Sequence, residues 1–241
     1  LNHLHFGSVA HKLYYRFALL RSLKAARQVI GVSQSASLEV AVWMRRNGVE
    51  KTVALAPNSV ELTAPFDATV PRRFGLEPGN YFFALSNPKP HKNLPFLERA
   101  FGLARAKRSL PPLALSIGGE AAPGTVRTGP LRDSEVGSLL HHAKAFYFPS
   151  LYEGFGRPPL EAVLAGTQPI VSSLSVHREV LAGVKEAVFL DPASVHAWEE
   201  SFLRQANEDG RVSAASQTWV AETWSVARLA TAMDSIYREC L

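Results

Sequence analysis

From residue 81 onward, short and almost wholly apolar runs alternate with longer stretches in which apolar positions return every three or four residues. The runs Tyr81–Ser86, Leu113–Ile117, Ala145–Pro149, Pro169–Ser172 and Ala187–Leu190 read as buried strands. Between them, Leu94–Lys107, Ser134–Ala143, Pro159–Ala165 and Val176–Leu181 carry helical periodicity, and Asp133 is placed to cap the second of these helices. From Ser194 the chain reads as helical to its end. Strands apolar on both faces, separated by helices, predict a doubly wound α/β fold: a Rossmann-like parallel sheet covered by helices on both sides.

The first sixty residues follow a looser version of the same rhythm. Residues 8–28 place Val9, Leu13, Phe17 and Leu20 at helical spacing, interleaved with Lys12, Arg16, Arg21, Lys24 and Arg27. Such a basic amphipathic helix suits either peripheral contact with an anionic membrane or the charged outer face of an ordinary domain helix. A short strand over 28–33, a helix over 36–46 capped by Ser33 or Ser35, and a strand over 53–57 follow. Residues 63–80 are rich in Pro and Gly without periodicity, which predicts a linker between two lobes.

Composition narrows the class. A 46% hydrophobic, 20% charged chain of 241 residues can bury an ordinary globular core, so disorder is not expected. No apolar run reaches 18 residues and no charged-then-apolar leader opens the chain, so neither a spanning helix nor a signal peptide is predicted. The single cysteine, Cys240, leaves no internal disulfide framework and no thiolate cluster for a metal. These features fit a cytoplasmic, reducing location. The net charge of +5 favours anionic partners, but the basic residues lack interleaved aromatic stacking or a recognised module, which argues against nucleic acid.

One stretch carries more chemistry than the rest: FYFPSLYEGFGRPPLEAVLAGTQPIVS, residues 146–172. A strand ends near Pro149, so the residues after it lie at the carboxyl edge of the sheet, where ligands of such folds bind. Gly154 and Gly156 permit a tight turn, and Pro158 and Pro159 suit the start of a helix. The N-terminus of that helix attracts an anion such as phosphate. Glu161 alone could be a first-turn carboxylate favouring the helix dipole, but Glu153 precedes the turn and has no such explanation. Two carboxylates bracketing a phosphate cradle suit a ligand with hydroxyl groups on both sides of a diphosphate, the form of a sugar nucleotide.

This segment resembles the donor-site signature of retaining glycosyltransferases of the GT-B fold, family 4 (glycosyl transferases group 1), with two glutamates separated by seven residues around Gly-Phe-Gly. Weaker likenesses run through Val32-Ser33, Pro57-Asn58-Ser59-Val60-Glu61, Pro90-His91-Lys92-Asn93-Leu94 and Asp191-Pro192. The resemblance implies that Glu161 holds the ribose hydroxyls and that Glu153 lies by the transferred sugar. It implies further that the amides of Gly154, Phe155 and Gly156 face sugar and diphosphate, and that Lys92 neutralises the diphosphate. It also implies a metal-free reaction without a cofactor, a hexose donor such as GDP-mannose or a UDP-hexose, and a glycan or lipid-linked acceptor. The location it suggests is the cytoplasm, peripheral at the inner face of the cell membrane.

On this likeness, residues 1–62 are the end of an acceptor-side N-terminal lobe and 63–80 the linker. Residues 81–225 are then the donor-binding domain, and 226–241 a final helix packing back towards the first lobe. Three departures stand out. Asn87 occupies a position where many relatives carry an arginine, so stabilisation of the leaving diphosphate is either weaker or supplied by Arg157 or another residue. The stretch 117–133 is shorter than usual, which predicts that a helix and a strand there are missing or reduced. Only about 60 residues precede the linker, where relatives have about 150–200, so the chain reads as an incomplete piece. His3, His5 and His11 are weak candidates for a role near the sugar, and His141 and His142 lack partners at metal-ligand spacing. The competing function is a non-catalytic sugar-nucleotide-binding or scaffold protein.

Overall fold

A computed structural model describes residues 9–62 and 65–240, with the side chains of Val9, His11, Lys12 and Tyr15 excepted; His3 and His5 lie outside the described residues. The chain divides into two compact units, one from Val60 to Thr223 and the other made of the residues up to Ser59 together with those from Trp224 on.

The smaller unit opens with helix α1, Val9–Ala25, followed by strand β1, Val29–Gly31, helix α2, Gln34–Arg46, and strand β2, Val53–Leu55, parallel to β1. Of the two candidate caps, Ser33 is the one used: its hydroxyl accepts the Ala36 N–H at 2.9 Å. The packed face of α1 is Leu19, Leu20 and Leu23 against Val29, Trp43 and Met44. Of the stripe read from the sequence Leu20 packs here, whereas Leu13 and Phe17 are 60% and 66% exposed, beside Tyr14 at 68%.

The larger unit begins with a short helix, α3, Thr69–Arg73, within the stretch read as a linker. It packs on helix α5, Asp133–His142, where the backbone N–H of Asp67 meets Ser138 Oγ at 3.0 Å and Arg73 pairs with Glu135. The remaining elements are β3, Phe82–Ala84; a 3-10 turn, Pro90–Lys92; α4, Leu94–Lys107; β4, Leu113–Leu115; β5, Thr125–Arg127; β6, Ala145–Phe148; α6, Arg157–Leu164; β7, Pro169–Ser172; α7, Ser175–Val180; β8, Val188–Leu190; α8, Val195–Gln205; and α9, Ala214–Thr223. Helix α10, Val226–Cys240, belongs to the first unit. The chain after Ser194 is helical, as read, in three segments.

All six strands of the larger sheet are parallel, in the order β5-β4-β3-β6-β7-β8. Chain order therefore runs outward from β3 to one edge and then resumes at β6 towards the other edge. In 117–133 no helix separates β4 from β5, and the strand that remains there is the three-residue β5.

The sheet core follows the two-residue period of a strand. Phe82 and Tyr147 point to the α4–α8 face, where Tyr147 stacks on Phe202 with centroids 4.0 Å apart and Phe82 meets Phe101 and Phe202 edge-on. Phe83, Phe146 and Phe148 occupy the other face, the one bearing α6. Each of these fully buried aromatics contributes on the order of 1.5–3 kcal/mol. They fix the ends of β3 and β6, from which the site loops spring.

Candidate functional site

The point at which strand order reverses, between β3 and β6, is where an open α/β sheet leaves a crevice beyond the strands' carboxyl ends. The loop after β3 ends in the 3-10 turn Pro90–Lys92 and then Asn93, whose left-handed φ of 57° sets the start of α4. Asparagine is among the residues that tolerate this conformation best. The loop after β6 carries Glu153. The two loops are tied together where the Leu151 N–H donates to the His91 carbonyl at 2.7 Å.

Beside that tie, Lys92 Nζ lies 2.5 Å from Glu153 Oε1, and both side chains are only 13% exposed. Lys92 Nζ also sits 5.0 Å from the centroid of the Phe148 ring, whose π face favours a cation. The lysine is therefore fixed by a carboxylate and an aromatic platform rather than extended into solvent. Burial strengthens this pair because little water screens it.

The turn ends at Gly156, which caps α6 with φ 85° and ψ 61°. Only glycine adopts this conformation routinely, and a Cβ here would lie 3.2 Å from Cδ2 of His177. Phe155 is buried and anchors the turn, while Gly154 is half-buried. The second and third helical residues, Pro158 and Pro159, carry no N–H, so the amides free to meet an anion are fewer than a helix start normally offers.

Glu161 lies one turn into α6, 3.6 Å from Arg157. Burial pushes its carboxyl above the ordinary glutamate range; Arg157 opposes this and Asp133 adds to it. Helix α6 packs against α5, which starts at Asp133, so the helix bearing Glu161 runs beside the element that follows the β5–α5 connection. That same connection contributes Pro130 and Leu131, with Val136 of α5, to a cavity of about 460 Å³, whose other walls are Leu85, Ser86 and Asn87 after β3 and Ser116, Ile117 and Gly118 after β4. The cavity is mostly apolar with a few hydroxyl and amide groups, as small-molecule sites are.

The structure thus brings Lys92, Glu153 and the glycine turn to one edge of the sheet, with Asn87 at the cavity and Glu161 on the helix behind the turn. Asn87 Oδ1 accepts the Lys89 N–H at 3.1 Å, a local turn contact. Arg157 is 55% exposed and pairs with Glu161, so it is not held at Lys92 as a second cation. Among the described residues no group of three His, Cys, Asp or Glu gathers as a metal site. Two participants escaped the sequence reading: Phe148, taken only as part of a strand, and His177 on α7. His177 is fully buried and contacts Ser172, Gly156 and Phe148.

The sequence pattern of the family described as glycosyl transferases group 1 matches residues 71–217. The chain is 27% identical over 207 residues to the O-antigen chain mannosyltransferase RfbU of Salmonella typhimurium, covering 80% of this chain and 55% of that protein. It is 26% identical over 231 residues to the serotype-specific mannosyltransferase WbdA of Escherichia coli, covering 83% of this chain and 28% of that protein. The chain therefore spans about half, or less, of the curated relatives it matches. Its fold is similar to that of Anabaena Alr3699/HepE, solved in complex with UDP and glucose, with TM-score 0.76 at 16% identity over 96% of this chain and 69% of that one. It is also similar to sucrose-phosphate synthase from Thermosynechococcus elongatus, with TM-score 0.73 at 17% identity over 97% and 64% of the two chains. At such identity these likenesses establish the fold, that of GT-B glycosyltransferases, and nothing finer.

Proposed function

The chain belongs to the glycosyl transferases group 1 family, and from that premise we propose that residues 60–223 are a nucleotide-sugar donor lobe. The whole protein is then a retaining hexosyltransferase acting on a glycan or lipid-linked acceptor in polysaccharide assembly. The observation that carries the reading is the largely buried Lys92–Glu153 pair at the sheet's switch point, next to the glycine turn.

As a glycosidic bond to a diphosphate breaks, negative charge accumulates on the leaving phosphate, and a fixed cation nearby stabilises it. Lys92 is that cation, held by Glu153 and Phe148 so that little reorganisation is needed. Glu153, acceptor-only when ionised, retains free lone pairs for sugar hydroxyls while keeping the lysine in place. Gly154, Phe155 and Gly156 let the backbone approach the sugar and diphosphate. Glu161 takes the ribose hydroxyls, and the apolar cavity along Ile117 and Leu131 takes the base. Asn87 at the cavity mouth donates hydrogen bonds without charge. The sugar is mannose and the donor GDP-mannose in this reading, supported by the names of the curated relatives, with a UDP-hexose as the alternative donor. No cofactor or metal is part of the proposed chemistry. The basic, apolar-studded outer face of α1 supports peripheral contact with the inner face of the cell membrane.

The experiment is sugar transfer by the full-length gene product, with the anomeric configuration of the product read by NMR. Retention is expected; inversion overturns the retaining assignment. A second reading, a sugar-nucleotide-binding scaffold, is favoured by the neutral Asn87 and predicts nucleotide affinity without turnover.

A further inference from the structure

His177 is fully buried on α7, yet its ring is only half satisfied. Nδ1 lies 2.7 Å from the Ser172 carbonyl oxygen, which can only accept, so Nδ1 carries the proton and donates it. That fixes the neutral tautomer and leaves the lone pair on Nε2, which is buried without a partner. Nε2 would lie 3.4 Å from a Cβ at position 156, so it faces the left-handed glycine turn. The ring is 5.6 Å from Phe148, the platform under Lys92. Ser150 Oγ and Ser172 Oγ, at the ends of β6 and β7, are likewise buried and unpartnered, so unsatisfied polar groups gather at this end of the sheet.

A residue needed only for packing would be better replaced by a hydrocarbon, because a buried polar atom without a partner is destabilising. A neutral acceptor facing a turn has a use that a hydrocarbon lacks: it receives an N–H. Nε2 is buried, out of reach of a ligand's hydroxyls, and phosphate oxygens cannot donate to it, whereas the backbone of the turn can. We infer that His177 is a positioning residue of the donor site, whose Nε2 accepts a hydrogen bond from an N–H of the glycine turn when a bound donor draws that turn into place. Through the same ring it keeps Gly156 and Phe148, and hence Lys92, in register. The inference rests on the donor-site reading above.

Calorimetric titration of the chain with UDP-glucose and GDP-mannose tests it, alongside thermal unfolding of each variant. His177→Leu keeps the volume and removes both ring nitrogens; His177→Gln keeps an acceptor. The Leu variant should remain folded while its Kd for the bound donor rises at least tenfold, and the Gln variant should bind within about threefold of wild type, a tenfold step corresponding to about 1.4 kcal/mol. Equal binding by wild type and His177→Leu overturns the inference while leaving the donor site intact. Absence of binding by wild type overturns the donor site itself. If the Leu variant does not fold, wild type labelled with ¹⁵N-histidine decides: saturating donor should move the Nε2 resonance upfield as a hydrogen bond forms, and an unmoved resonance overturns the inference.

Discussion

Lys92 and Glu153 stand 61 residues apart in the chain and 2.5 Å apart in space, each on the loop that leaves one of the two strands flanking the switch point. Topology explains the meeting. β3 and β6 are adjacent parallel strands although α4, β4, β5 and α5 intervene between them in the chain, so their carboxyl-end loops emerge side by side. The Leu151–His91 hydrogen bond then fixes the register of one loop on the other.

The pair makes Glu153→Gln informative. Removing its charge leaves Lys92 without a counter-ion at 13% exposure, so stability should fall by about 1–3 kcal/mol in urea denaturation. At the same time Lys92 is released to a phosphate. The affinity for a bare nucleoside diphosphate should hold or rise, while affinity for the corresponding nucleotide sugar falls. Parallel loss of both affinities would mean that Glu153 does not divide its lone pairs between lysine and sugar.

Gly156 is required by its backbone. Gly156→Ala forces a side chain into φ 85° and puts a methyl group 3.2 Å from the His177 ring. The conformation alone costs roughly 1–2 kcal/mol, and the contact adds to it. Gly154→Ala is the comparison: Gly154 is not among the glycines of positive φ, so it should cost less in stability. Chemical denaturation of the two variants measures the difference.

Glu161 has a pH signature. Its folded-state carboxyl is raised by burial above the unfolded value, so the protonated form is favoured by folding. The resulting stabilisation is fully present below the unfolded pKa and is lost as pH rises through the folded one. At pH 7 the ionised carboxylate is therefore a stability cost that Glu161→Gln removes; the Arg157 pair that goes with it is half-exposed and contributes little. Thermal unfolding should show the variant more stable than wild type at pH 7 and equal to it near pH 4, while nucleotide affinity drops. A site kept at the expense of stability behaves in this way.

The outer face of α1 gives a separate test. Leu13, Tyr14 and Phe17 are exposed alongside Arg16, Arg21 and Lys24. Vesicles rich in anionic lipid should sediment the chain, with binding weakened by salt and by Leu13→Ser together with Phe17→Ser. Equal sedimentation with neutral vesicles would remove the electrostatic half of that account.

The alternation of apolar runs and helical periodicity made the parallel sheet legible, since each central strand is apolar on both faces. β5 was not legible because only Val126 in Thr125-Val126-Arg127 is apolar, whereas the equally short β3 and β4 are wholly apolar. α3 was hidden because Pro71 and the nearby Gly75 read as breakers, although a helix of five residues tolerates proline in its first turn. Leu13 and Phe17 showed the right period but the wrong face, because spacing gives a stripe and not its partner. At the site, Gly154, Gly156 and the two glutamates were visible as one local block. Lys92 was named through family resemblance, not through spacing. His177 left no signal, since only the packing of α7 against the β6–α6 turn gives it a role.

The most direct test of the switch-point site is calorimetric titration of the chain with UDP, GDP and ADP, repeated with Lys92→Ala and Glu161→Ala. The account predicts that one nucleotide binds wild type, that Lys92→Ala weakens it by about 10- to 100-fold, as loss of a charge-assisted contact should, and that Glu161→Ala weakens it measurably. Binding of none of the three, or equal binding by wild type and both variants, would contradict it.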